Sequence, residues 1–390
     1  MLARLFNPQS YFGSRSPTSP IITILVGYLE KANSPDALGR AVQSAYKKAP
    51  EFMNALKIVD ANSFLEFANG LLKWIPRENS EGSDVYNILC MFYFVFNQPP
   101  LNDFQAPITP DASRRPPTWL SSWLVVYSQH VGLWMDTTES LTEESLESFK
   151  QAKHYNIHEA LPPPGGWRTF NEFFSRHLKA DARPIESPLD DKVIIYPADC
   201  KYDASVADHI VSISSTGTVL IKNLPWTINL LLQGSEYADE FNGGIWMHGF
   251  LNTYNYHRQH APVSGEVIEA RVIQGIAYFQ VEVEDNKLEA PADPGFQFIQ
   301  TRGLIIIDNE VLGKVAVLPI GMALVSAVKL SVRKHQRLKK GDEISTFLFG
   351  GSDIVCVFQK RAGLTVESFV PSMPGKYSYS KMGTTLANAP

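Results

Sequence analysis

Cysteine is scarce in this chain: Cys90, Cys200 and Cys356 are three in 390 residues, odd in number and far apart. That excludes a disulfide framework, and no zinc-type spacing occurs, so a reducing, cytoplasmic setting and no metal site are expected. Positive charge is also short, with 35 Lys and Arg against 40 Asp and Glu and a net charge of -5. Nothing in that balance argues for nucleic acid or an anionic membrane surface as partner. Long hydrophobic runs are missing too. P-I-I-T-I-L-V-G-Y-L, N-I-L-C-M-F-Y-F-V-F and K-V-A-V-L-P-I-G-M-A-L-V-S-A-V are the most apolar stretches, and each falls short of the roughly 20 residues that cross a bilayer. The opening MLARLFNPQSYFGSRSPTSP has no continuous apolar segment behind its first arginine. A signal peptide is therefore not expected, and its basic and hydroxyl residues make only a weak transit peptide. Internal repeats and low-complexity tracts are absent. So are G-x-S-x-G, H-E-x-x-H and G-x-x-x-x-G-K, which removes the sequence support for a nucleophile elbow, a zincin helix and a P-loop.

What is present divides in two. In A-N-S-F-L-E-F-A-N-G-L-L-K-W-I-P, Ser63 and Glu66 have capping-box spacing, Phe64, Ala68, Leu71 and Ile75 form a helical stripe, and Pro76 ends it. T-W-L-S-S-W-L-V-V-Y-S-Q-H-V-G-L-W predicts a second helix, with Leu120, Trp123, Leu124, Tyr127 and Val131 on one face. Aromatic stripes of this kind are read as core. L-P-P-P-G-G-W, Leu161 to Trp167, marks a boundary. Beyond it the pattern becomes short strands: A-Y-F-Q-V-E-V-E alternates, with Ala277, Phe279, Val281 and Val283 facing inward, and K-V-I-I-Y, G-T-V-L-I-K, G-L-I-I-I-D and G-K-V-A-V-L follow suit. The fold class expected is α+β, a helical N-terminal region over 1–160 followed by a mainly antiparallel β domain over 168–390.

Three stretches in the second half carry candidate chemistry. Y-P-A-D-C-K holds Asp199, Y-N-Y-H-R-Q-H-A-P-V-S-G holds His257 and His260, and F-L-F-G-G-S-D-I-V holds Gly350, Gly351 and Ser352. Two glycines inside an apolar strand mark a bulge, a turn, or a place where the backbone itself must be reached. A carboxylate, a histidine and a serine are the parts of a nucleophilic triad. Singly, each has a plainer reading: Asp199 as a turn residue, the histidines as a surface pair or metal ligands, and Ser352 as a loop serine.

Together these stretches resemble the phosphatidylserine decarboxylase family. The resemblance rests on T-F-N-E-F-F-S-R-H-L-K-A-D-A-R-P-I (Thr169 to Ile185), Y-P-A-D (Tyr196 to Asp199), Y-H-R-Q-H-A-P-V-S-G (Tyr256 to Gly265) and K-K-G-D-E-I-S-T-F-L-F-G-G-S (Lys339 to Ser352), in family order over somewhat more than half the chain. It implies self-cleavage of the Gly351–Ser352 bond. By that resemblance His260, oriented by Asp199, deprotonates Ser352. The hydroxyl attacks the Gly351 carbonyl to give an ester, and β-elimination releases a large fragment, Met1–Gly351. A small fragment remains, headed by a pyruvoyl group derived from Ser352, and the two fragments are expected to stay associated. The pyruvoyl carbonyl takes up the substrate amine and draws the electrons released as CO₂ leaves. His257 matches the histidine assigned to protonating the product.

Two positions depart from the family pattern: Cys200 stands where glycine is usual after Pro-Ala-Asp, and Asn255 where aspartate is usual before Tyr-His-Arg. The turn at Cys200 is therefore expected to be shaped differently. The first 160 residues, and the stretches W-L-V-V-Y-S-Q-H-V-G-L-W-M-D-T-T-E-S-L within them and G-F-L-N-T-Y-N-Y-H-R-Q-H-A-P-V-S-G further on, resemble the soluble branch that includes the fungal tryptophan decarboxylases of psilocybin biosynthesis. That resemblance favours a small, soluble amino acid as substrate, aromatic ones included. The alternative is phosphatidylserine, giving phosphatidylethanolamine. A serine hydrolase, which predicts an uncut chain, and a non-enzymatic scaffold are the competing classes.

Overall fold

The computed structural model describes residues 18–202, 209–290, 295–322, 328–375 and 378–390. The reading of the N-terminal leader falls on residues 1–17, and part of the third apolar run on 323–327, both outside the described residues.

The N-terminal region is helical: α1 (Pro20–Lys31), α2 (Ala37–Lys48), α3 (Pro50–Ala55), α4 (Ala61–Leu71), α5 (Asp84–Phe96), α6 (Trp119–Met135) and α7 (Glu143–Gln151). α6 buries the predicted stripe of Leu120, Trp123, Leu124, Tyr127 and Val131. Its start is fixed by Thr118, whose hydroxyl accepts the Ser121 N–H. α5 is the central helix, buried on all sides from Ile88 to Phe96. Its Phe92 stacks on Tyr127 of α6 with ring centroids 4.8 Å apart.

α4 differs from expectation at both ends. Asp60, not Ser63, is the N-cap: its carboxylate accepts the Ser63 N–H at 2.8 Å while the Ser63 hydroxyl accepts the Asp60 N–H at 2.9 Å. Ser63 thus takes the third helical position of a box that begins three residues earlier. The helix stops at Leu71, so Ile75 and Pro76 lie beyond it.

The second region supplies β1 (Ile210–Ser212), β2 (Ile245–Leu251), β3 (Arg258–His260), β4 (Gly265–Ile273), β5 (Arg302–Asn309), β6 (Gly313–Met322), β7 (Val328–Leu330), β8 (Arg337–Leu338), β9 (Glu343–Phe347) and β10 (Gly351–Phe358). They form a seven-stranded sheet in the order β8-β4-β5-β6-β10-β2-β1 and a three-stranded sheet in the order β7-β9-β3. Every pairing is antiparallel, so the architecture is the α+β expected. Successive residues of β10 serve opposite faces, as the period of two requires: Ile354, Cys356 and Phe358 enter one core, Val355 and Val357 another.

The stretch 277–284 is a correction. Ala277, Phe279 and Val281 are buried as the alternation predicts, but only Glu282–Glu284 is a strand, paired with Lys287–Glu289. The inward face packs on helices rather than on a ladder, with Phe279 edge-on to Tyr86 and Tyr93. Side chains take over the backbone bonding there: Asn97 accepts the Val281 N–H at 2.9 Å, and Gln300 donates to the Tyr278 carbonyl.

Two pairings position the site. β10 lies against β2, with Ser352 opposite Leu251, and β9 lies against β3, with Thr346 opposite Arg258. The connectors 252–257 and 348–350, which join those strands, therefore face each other. Helical residues, Phe170, Phe173, Phe174, Tyr254 and Phe349 share one hydrophobic cluster, so the helical layer packs directly on these connectors.

Candidate active site

The Gly351–Ser352 bond lies at the head of an interior strand. Ser352 pairs with Gly321 on β6 and Leu251 on β2 and is 0 % exposed. Its Oγ has no protein hydrogen-bond partner. Gly350 has φ +143°, a backbone region that side chains resist, so a glycine is required there. The approach to the bond is fixed from both sides. Phe347 N–H donates to the His257 carbonyl at 2.9 Å, and Phe349 N–H to Asn171 Oδ1 at 2.9 Å. The Phe349 ring packs against Trp74, Phe170 and Phe174 with centroids 5.6, 5.3 and 5.5 Å away.

Asn171 and Phe174 belong to α8 (Phe170–Phe174), a short helix started by the Thr169 hydroxyl, which accepts the Glu172 N–H. Asn171 also donates to Asp136 at the end of α6, at 2.9 Å. One side chain thereby ties the N-terminal helices to the segment before the candidate cleavage bond. Phe174 carries His257, whose imidazole stacks on it at 3.9 Å with an 18° tilt. His257 is 0 % exposed, and neither ring nitrogen has a well-formed hydrogen bond. Burial pushes its pKa well below the usual histidine range, and the positive charge of Arg176 adds to that.

His260 is only partly buried and differently held. Its Nδ1–H donates to the Gly341 carbonyl at 2.7 Å, which leaves Nε2 as the acceptor for the Tyr256 hydroxyl at 3.0 Å. Burial lowers its pKa, opposed in part by the Gly341 carbonyl and by the charges of Glu343 and Asp199. Asp199 is fully buried in an ion pair with Arg183, which donates through Nε at 2.7 Å and through Nη2, and it accepts the Met382 N–H at 2.9 Å. Arg183 in turn donates to Glu159 at 2.8 Å. The orienting bond on His260 thus comes from Gly341, and Asp199 acts on it through its charge. Among the described residues no hydrogen bond joins Asp199 to His260 or His260 to Ser352.

Both departures from the family pattern fit locally. Cys200 forms an antiparallel bridge with Ser380, and its Sγ lies 3.0 Å from where a Cβ on Gly249 would stand. The chain is therefore extended at 200 and needs no glycine there, because the glycine that makes room is Gly249. Asn255 supplies through Oδ1 the acceptor an aspartate would offer, taking the Asn252 N–H at 2.7 Å, while its Nδ2 has no partner. Tyr256, Gly341 and Asn171 lie within the family stretches, yet no pattern of residue types separated them from their neighbours. Arg176 did carry a signal, an arginine two residues beyond the aromatic-rich helix F-N-E-F-F.

The phosphatidylserine decarboxylase family model matches residues 170–388. Phosphatidylserine decarboxylase proenzyme 2 of Komagataella phaffii is 31% identical over 267 residues, 66% of this chain and 25% of that protein. Decarboxylase iboD of Amanita muscaria is 27% identical over 281 residues, 64% of this chain and 77% of its own length. The L-tryptophan decarboxylase of Psilocybe cubensis is 26% identical over 244 residues, 56% of this chain and 54% of that protein. These relatives are decarboxylases by name; the Komagataella protein is named for phosphatidylserine, the Psilocybe protein for L-tryptophan, and the Amanita protein for no substrate. With more than half its length matched, the chain belongs to the phosphatidylserine decarboxylase family. It spans a quarter of the length of the Komagataella protein.

Proposed function

We propose that this chain is a self-processing, pyruvoyl-dependent decarboxylase that releases CO₂ from a small free amino acid. The observation that carries the reading is Ser352, a buried hydroxyl without a protein partner, behind Gly350 and Gly351 at the head of an interior strand. A pyruvoyl group made from residue 352 fits that position: it needs no room beyond the serine, and no side chain of residue 351 covers the bond. When formed, the group supplies an electrophilic carbonyl that draws electrons as CO₂ leaves.

The roles of the chain's own residues follow from their surroundings. His260 is the base for the Ser352 hydroxyl once the Tyr256 hydroxyl yields its bond to Nε2, with Gly341 setting the ring plane. The negative charge of Asp199, held in place by Arg183, favours the imidazolium that results. His257, stacked on Phe174 in a water-poor setting, moves the proton at the substrate carbon. Phe174, Phe349 and Trp74 keep water from that carbon.

Two features support a free amino acid over a lipid. No helix among the described residues is long and apolar enough to cross a membrane. The Amanita and Psilocybe relatives, similar over 64% and 56% of this chain, bear names without a lipid. Phosphatidylserine is the second reading, favoured by the 31% identity to a protein named for it.

Intact mass spectrometry of the denatured protein tests the proposal. Two fragments are expected, one ending at Gly351 and one from 352 to Pro390 carrying the mass of a pyruvoyl head, while Ser352→Ala yields a single inactive chain. CO₂ release is then read on the free L-amino acids and on phosphatidylserine in mixed micelles. A wild-type chain that stays uncut sinks the reading and favours a hydrolase or a scaffold; turnover of phosphatidylserine alone sinks the substrate preference.

A further inference from the structure

Among the described residues, six of the fourteen side-chain N and O atoms buried without a well-formed hydrogen bond lie around this site: Ser352 Oγ, both ring nitrogens of His257, Asn255 Nδ2, and Nε and Nη1 of Arg176. Buried polar groups are nearly always satisfied, so such a concentration points to polar groups that a ligand supplies. Arg176 is the charged member. It is 3 % exposed, and none of its contacts is a carboxylate: Nη2 donates to the carbonyls of Tyr155 at 3.1 Å and Tyr254 at 3.2 Å, and the guanidinium lies 5.5 Å from the Phe173 ring centre. Two residues before it, Phe174 carries His257. Three residues after Tyr254 the chain reaches His257 itself, and the charge of Arg176 is near enough to depress that imidazole.

We propose that Arg176 receives an anionic oxygen group of the substrate, an inference that rests on the decarboxylase reading above. A guanidinium out of water with no carboxylate in contact, and only the more distant charge of Asp199 to balance it, is costly, and an arriving anion offsets that cost. The unbonded Nε–H and Nη1–H donors suit the oxygens of a carboxylate or phosphodiester. Every substrate considered carries the carboxylate that leaves as CO₂, and phosphatidylserine or an acidic amino acid carries a second anion that stays. Binding the leaving group strengthens the ground state more than the transition state, whereas binding the retained group strengthens both. Product affinity therefore separates the two sources.

The test uses wild type, Arg176→Gln and Arg176→Lys as full chains. Self-cleavage is read by intact mass, KM and kcat on the best substrate among the free L-amino acids and phosphatidylserine micelles, and affinity for the corresponding product amine by calorimetry. Arg176→Gln is expected to cleave as wild type does and to raise KM about tenfold or more, the scale of one hydrogen bond to a charged group, with Arg176→Lys recovering part. An unchanged product affinity assigns Arg176 to the leaving carboxylate; an equal loss for product assigns it to a retained anion. The proposal is overturned if KM of the Gln variant stays within twofold of wild type. It is equally overturned if both variants cleave slowly and lose kcat without KM, because Arg176 is then a clamp between Tyr155 and Tyr254. Should the Gln variant not fold, the Lys variant decides: it keeps the charge but not the donor geometry, and an unaltered KM overturns the proposal. A wild-type chain that neither cleaves nor releases CO₂ fails the decarboxylase reading first, and this inference with it.

Discussion

The two histidines of Y-H-R-Q-H are chemically different groups, and the difference is testable residue by residue. Burial lowers the pKa of both, but His260 keeps a carbonyl on one nitrogen and a phenol on the other, while His257 has a phenyl face and no well-formed hydrogen bond. A base whose pKa is depressed stays unprotonated further into acid. Self-cleavage of precursor from cell-free translation should therefore hold its rate from pH 8 down to about 6.5, the ordinary histidine value, and decline only below it. A time course read by intact mass checks this, and a midpoint above that value would count against His260 as the base. His260→Ala should remain full-length. His257→Ala should still cleave yet release CO₂ at least about 100-fold more slowly, the usual weight of one general acid. Equal cleavage defects in both variants would show that the two do not divide the work.

At the scale of elements, the least conspicuous one has the widest reach. α8 contributes Asn171, which accepts from Phe349 N–H and donates to Asp136, and Phe174, which carries His257. Asn171→Ala leaves a buried N–H unpaired just before the proposed cleavage bond. A loss of about 1–3 kcal/mol in urea unfolding and slower maturation are expected; unaltered cleavage kinetics would place Asn171 in packing alone. How far such elements were legible depends on whether their cause is local. The α6 stripe, the half-buried alternation of 277–283 and the strands around Ile305 and Val315 follow from periodicity, and the structure buries those residues accordingly. Whether 277–281 joins a ladder is decided by which backbone lies beside it, and that is the helical layer rather than a strand. Asp60 rather than Ser63 caps α4, since both residue types fit a cap and only the backbone geometry ranks them. In the site, Asp199, His257, His260 and Ser352 were named from motifs. The partners that set their chemistry, Gly341, Arg183, Phe174 and Arg176, are 81, 16, 83 and 81 positions from the groups they act on. No local pattern carries contacts of that range.

For the whole molecule, the position of β10 decides what the proposed cleavage would do. The strand lies inside the seven-stranded sheet, paired along its length with β6 and β2, both of which would belong to the large fragment. The proposed cut before residue 352 would remove one covalent link and whatever ladder bond the residue 352 nitrogen makes, and would leave the pairing of 353–358 with β6 and β2. The small fragment also sends Thr385–Asn388 to pair with Val193–Ile195, so it is held at two places far apart in its own sequence. Its buried Ile354, Val355, Val357, Phe358 and Leu386 each contribute roughly 1.5–3 kcal/mol of apolar burial. At its head, Asp353 accepts from Gln297 at 2.9 Å and lies 3.0 Å from His248, on the sheet face opposite Ser352, which anchors residue 353 in place when residue 352 has lost its amide. The two fragments should accordingly elute together from a sizing column and separate only in denaturant. Because the contacts are ladders and apolar side chains rather than exposed ion pairs, 1 M salt should not part them. Fragments that separate on a native column, with or without salt, would mean that cleavage reorganises the sheet, and that the uncut chain is a poor guide to the mature site.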